Sequence, residues 1–161
     1  MRVLRPTLVP PTNVHGETAL KPKHQITRAA EYESLAAFRQ LIEQACQEYP
    51  QIDAPTVYDL QLAADEACTN IIQHGYAGMD PGSIIFTIEP GPRQVRLTIT
   101  DFGQPFEPYE PEAPDLEAAQ ETQQTGGFGL FFIYQVIDQV DYSTTCDGNQ
   151  LTLIKQLSKE Q

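Results

Sequence analysis

Positive charge is missing from most of this sequence. No Lys or Arg occurs between Arg39 and Arg93, nor between Arg96 and Lys155, and the formal net charge of the 161-residue chain is −12. A protein that grips DNA or RNA needs a basic stripe to displace counterions from phosphates, so direct nucleic-acid binding is not expected. Long apolar runs are missing too. Nothing approaches the roughly 18–20 apolar residues of a membrane-crossing helix, and the opening Met1-Arg2-Val3-Leu4-Arg5-Pro6 lacks the apolar core of an export signal. Cysteine is sparse: Cys46, Cys68 and Cys146 show no CxxC spacing and no nearby His partners, which argues against a zinc site or a disulfide framework. These absences point to a cytoplasmic protein with reduced cysteines in its core, bound to no membrane.

The cation-poor stretches also constrain any anion site within them. A polyphosphate held there must be met by a metal ion, backbone N–H groups and a helix N-terminus rather than by ammonium groups. For such a ligand magnesium is a requirement.

About two fifths of the residues are apolar, enough for one good core in a chain of this length. Residues 1–24 hold several prolines and no sustained period, and read as a mobile or loosely attached extension outside a domain at 25–158. A short strand is expected over Lys23–Arg28. Leu35, Phe38, Leu41, Ile42 and Ala45 recur at helical spacing and predict a helix from about Glu31 to Tyr49, ended by Pro50. Asp53-Ala54-Pro55 reads as an N-cap with proline in the first turn of a second helix, which runs to about His74 and stops at Gly75. The pattern then changes to period two. Ile84, Phe86 and Ile88, then Val95, Leu97 and Ile99, alternate on either side of Pro90-Gly91-Pro92, as a hairpin with one apolar face would. Residues 107–125 are acidic and proline-bearing with little to bury, and read as a lid. An apolar helix is expected from the Gly126–Leu130 segment to about Asp138. Strands at about 140–145 and 150–157 flank the turn Asp147-Gly148-Asn149. Together these elements predict an α+β two-layer sandwich with helices on one face of a mostly antiparallel sheet.

Chemistry-bearing residues fall in three places. Glu66 and Asn70 are four apart on the second helix, beside its apolar stripe, so a carboxylate and an amide oxygen can both approach one hard cation or its bound water. The same spacing also occurs on solvated helix faces. Asp101 ends a strand and precedes the sharp turn Phe102-Gly103-Gln104; facing an apolar cleft, its carboxylate would accept a hydrogen bond from the exocyclic amine of adenine. A plain turn former is the alternative. Gly126, Gly127 and Gly129 around Phe128 and Leu130 would expose successive N–H groups where a helix dipole favours phosphate, unless they serve helix packing. Neither GxxxxGK[ST] nor a strand-to-helix dinucleotide turn is present. His74 reads as a solvated residue compensating a helix terminus.

In order and spacing, Glu66-Ala67-Cys68-Thr69-Asn70-Ile71-Ile72-Gln73-His74-Gly75-Tyr76, then Asp101 to Phe106, then Gly126 to Ile133, resemble the N, G1 and G2 boxes of the GHKL ATPase superfamily. Within it, Asp65-Glu66-Ala67 with Asn70 and His74-Gly75-Tyr76 resembles the bacterial anti-sigma-factor serine/threonine kinases. The resemblance covers roughly residues 24–158 and implies a Bergerat-type fold that binds ATP with Mg2+. It further implies that Glu66 is the general base, that Asn70 is the magnesium ligand, and that Asp101 reads adenine with Gly103 allowing the approach. Gly127 and Gly129 would contact phosphates within the Gly126–Leu130 segment, and Thr152 would support the adenine site. The implied partners are a small anti-anti-sigma (STAS-type) protein and a sigma factor held by a kinase homodimer. A nucleotide-binding adaptor with weak or no kinase activity is the alternative, since phosphoryl transfer commonly uses a cationic side chain and residues 107–125 contain none. A histidine-kinase-like or chaperone-like ATPase of the same fold would be expected to need a phosphoacceptor hairpin or a client domain besides.

Overall fold

The structure, a computed structural model, describes residues 24–105 and 128–158. The expected extension apart from His24, the expected lid, and Gly126 and Gly127 lie outside the described residues.

Strand β1 (Gln25–Ala29) leads through a 3-10 turn (Tyr32–Ser34) into α1 (Leu35–Gln47), followed by α2 (Ala54–Asn70). Strands β2 (Ser83–Pro90) and β3 (Gln94–Asp101) form the expected hairpin; α3 (Phe128–Val136), β4 (Gln139–Thr145) and β5 (Gly148–Gln156) follow. The strands make one sheet in the order β1-β2-β3-β5-β4, every pairing antiparallel. Helices cover one side of it, as in the predicted α+β sandwich.

Alternation along the strands decides which side. Ile84, Phe86 and Ile88 of β2, Val95, Leu97 and Ile99 of β3, and Leu153 of β5 are buried and in register across the sheet. Each such side chain removed from water contributes about 1.5–3 kcal/mol. Against them α1 sets Phe38, whose ring stacks on Phe86 at a centroid distance of 4.8 Å, and α2 sets Leu60, Ala63, Ala64, Ala67 and Cys68. Three alanines on the buried stripe keep α2 close to the sheet. Asp53 caps α2 as predicted, accepting a hydrogen bond from the Thr56 N–H at 2.9 Å. Lys155 ties the C-terminus of α3 to α2, donating to the Val136 carbonyl at 2.6 Å and pairing with Asp59 at 3.2 Å.

Two expectations change. The second helix does not run unbroken to His74: after Asn70 it widens into a π turn over Ile71–Gly75, closed by the Tyr76 N–H on the Ile71 carbonyl at 3.2 Å. Such turns concentrate at functional sites. The helical run does stop at Gly75, as expected, and the positive φ beyond it belongs to Gly78 (73°). Cys146 departs from the core reading: it is exposed in the β4–β5 turn, whereas Cys46 and Cys68 are buried.

Candidate functional site

Helix α2, its π turn, the end of β3, α3 and the β4–β5 edge of the sheet converge on a narrow cavity of about 500 Å³, its open mouth included. Ala67, Ile71, Ile133, Val140 and Leu151 give it apolar walls, while Asn70, Asp101 and Gln104 supply polar groups. An apolar slot with a few convergent polar atoms suits a flat heterocycle with a polar edge.

Asp101 is the charged group of this wall and is only 5% exposed. Its Oδ1 accepts two hydrogen bonds, from the Gly103 N–H at 2.9 Å and from Asn149 Nδ2 at 3.1 Å. The same Nδ2 donates to the Gly103 carbonyl at 3.0 Å, closing a ring of three residues. Among the described residues no hydrogen bond falls on Oδ2, so that oxygen keeps its lone pairs for a donor in the cavity. Asn149, 2% exposed, belongs to the site, although the sequence marks it only as part of the Asp147-Gly148-Asn149 turn. A polar residue directly after Asp-Gly at a strand start was the available signal, and it is a weak one.

The turn after Asp101 is pressed onto the end of the π turn. The Gln104 N–H donates to the Gly75 carbonyl at 2.6 Å, and a Cβ on Gly103 would collide with that same carbonyl. Gly103 is glycine where the loop touches the helix end, since any Cβ there would meet the Gly75 backbone. Tyr76 adds a second clamp: its hydroxyl donates to the Ser83 carbonyl at 2.8 Å and accepts from the Phe102 N–H at 2.9 Å. Burial is the main cause that raises the Tyr76 phenol above its ordinary pKa.

Of the helix pair, Asn70 lines the cavity and Glu66 stands one turn earlier, half-buried and outside its wall. Desolvation, with the neighbouring Asp65 second, pushes the Glu66 carboxyl above the usual glutamate range. Asp65 itself is engaged by Arg39 of α1, whose Nη1 donates to both carboxylate oxygens at 3.0 and 2.8 Å. Thr152 is a correction. Leu151 and its cross-strand partner Tyr142 line the cavity, so Thr152, next along the strand and paired with Asp141 and Thr98, stands on the opposite face of the sheet. A period-two strand cannot offer both residues to one site. The backbone of Phe128, Gly129 and Leu130 opens α3, where the sequence placed that helix start.

The family described as histidine kinase-like ATPase domain matches residues 28–155. The chain belongs to this family. Among solved structures it is similar to the histidine kinase domain of the blue-light activated histidine kinase from Erythrobacter litoralis EL346, at 15% identity and a TM-score of 0.46, covering 76% of this chain. The chain spans 60% of that domain's length. No curated protein matches the sequence.

A histidine kinase-like ATPase domain binds ATP, and the cavity of this chain offers apolar walls and, on Asp101, one acceptor oxygen with no partner among the described residues. The fit to a cation is of a different kind. Among the described residues no group of three or more His, Cys, Asp or Glu could cage a metal ion, so a cation here would take few protein oxygens. Magnesium bound mainly through phosphate oxygens and one side-chain carbonyl needs no such cage. Asn70 is the α2 residue that brings a side-chain carbonyl to the cavity wall.

Proposed function

We propose that this member of the histidine kinase-like ATPase family is a Mg-ATP-dependent serine/threonine protein kinase that acts as an anti-sigma factor and phosphorylates a small STAS-type anti-anti-sigma partner. The observation that carries the nucleotide half of this reading is Asp101, buried in the cavity wall with Oδ2 uncommitted among the described residues, while Asn70 lines the same cavity. Support for the protein-kinase half is the wording around the helix, Asp65-Glu66-Ala67 with Asn70 and His74-Gly75-Tyr76.

In this reading Asp101 takes the adenine amine and the apolar walls hold the ring. Asn70 presents its side-chain oxygen toward the phosphates, where Mg2+ would neutralise their charge. Glu66 accepts the proton of the partner's Ser or Thr hydroxyl as that oxygen attacks the γ-phosphorus and ADP leaves. A base raised toward neutrality suits this transfer better than an ordinary surface glutamate. The cytoplasm is the compartment, and a homodimer is the assembly that would present one sigma factor to two kinase faces.

Mixing the full chain with radiolabelled Mg-ATP and a STAS-type domain tests the proposal. Label should appear on a Ser or Thr of the partner and vanish with Glu66→Ala, while nucleotide binding persists. A chain that binds Mg-ATP, labels no such partner and yet changes its affinity for one would instead be the adaptor. That second reading is favoured by the lack of Lys and Arg between Arg96 and Lys155.

A further inference from the structure

Asn149 is more deeply buried than Asp101 and spends its amide on no solvent contact. Its Nδ2 carries two hydrogens, and two acceptors lie within reach: Asp101 Oδ1 at 3.1 Å and the Gly103 carbonyl at 3.0 Å. On the other side its Oδ1 accepts from the Thr144 hydroxyl at 3.3 Å. This arrangement fixes which way the amide points. Turned over, it would set its carbonyl oxygen against two acceptors at once, so the neighbours dictate the donor orientation. Both of its donors serve the Asp101 turn.

The consequence falls on the carboxylate. With a single hydrogen bond from Gly103, the Asp101 carboxyl could rotate about its last bond and share either oxygen with that amide. A second donor from the opposite strand, on the same oxygen, removes that freedom and leaves Oδ2 as the acceptor free to face a ligand. We propose that Asn149 is a positioning residue for base selection: by holding Asp101 through Oδ1 while anchoring the Gly103 carbonyl, it sets a preference for 6-aminopurine over 6-oxopurine nucleotides. A 6-amino group donates to the free oxygen. A 6-oxo group would place a second acceptor against it, and the buried carboxylate would go unpaired.

This inference rests on the nucleotide reading of the site, and its test separates the two. Affinities of the full chain for Mg-ATP and Mg-ITP, which differ at the 6-position and in the N1 hydrogen that follows from it, are measured by calorimetry. Wild type should prefer ATP by about tenfold or more, the range for a hydrogen bond to a charged group. Asn149→Ala removes the amide, and Asn149→Leu removes its polarity while keeping its shape. Both should lower ATP affinity more than ITP affinity, so that the ratio falls toward one. Asn149→Thr, whose hydroxyl can still donate, should retain part of the preference. A merely structural role would weaken both nucleotides alike, so an unchanged ratio in the Ala and Leu variants overturns the inference and leaves the nucleotide site standing. Wild-type protein that binds neither nucleotide overturns both.

Discussion

Glu66 and the three cysteines show how burial sets reactivity residue by residue. Because the fold raises the Glu66 pKa, the protonated form is favoured in the folded state. Its contribution to stability is therefore present below the ordinary carboxylate range and lost as pH rises through the raised folded value. At neutral pH the ionised side chain opposes folding. Glu66→Gln should accordingly melt at a higher temperature than wild type at pH 7, and the gain should shrink to nothing as pH is lowered through the ordinary glutamate range. The proposed phosphoryl transfer runs the other way: with Glu66 as its base it needs the ionised form, so the wild-type rate should fall as pH drops through that raised value, with Mg-ATP affinity unaffected. A rate flat across this window would remove Glu66 from the proton transfer. The thiols give a second test. Burial pushes Cys46 up to about 11 and raises Cys68 further, with Asp65 and Asp101 adding to the effect on Cys68. Native protein treated with iodoacetamide near pH 8 should be alkylated at Cys146 alone, and at all three positions after denaturation, as peptide mass spectrometry would show.

Among the elements, the contact between the π turn and the loop after β3 decides whether the two polar ends of the site keep their spacing. Asn70 immediately precedes the turn and Asp101 immediately precedes the loop, and Gly75 meets Gly103 and Gln104 between them. Gly103→Ala would drive a methyl into the Gly75 carbonyl, and the backbone on both sides would have to move. A loss of about 1–3 kcal/mol in chemical denaturation is expected, together with weaker Mg-ATP binding. Full retention of both would show that the loop relaxes freely and that the contact is incidental. This contact was not legible in the sequence. Period-two alternation announced β2 and β3, and Asp53 with Pro55 announced the start of α2, because those features depend on local backbone geometry. The widening of the last helical turn, the packing of one glycine on another, and the inward turn of Asn149 depend on residues 28 to 48 positions apart, which local patterns do not record. The face on which Thr152 stands is illegible for the same reason: the phase of β5 relative to the cavity is fixed by its neighbours.

Across the whole molecule the charge deficit has a structural counterpart. Arg39 is engaged with Asp65 of α2, and Lys155 with Asp59 and the end of α3, so these cations hold helices together rather than facing the cavity. An anion entering the site meets a carboxylate and an amide, and its charge must be met by what it brings with it or by the opening of α3. The antiparallel pairing of β3 with β5 sets Asp101 directly opposite Asn149, and the same register sets Leu97 opposite Leu153 in the core. A slip of one residue would expose the core and dissolve the hydrogen-bonded ring together. In the proposed reading, the letter of the nucleotide is written into the weave of the sheet, and altering it would mean unpicking the fabric that keeps the protein folded.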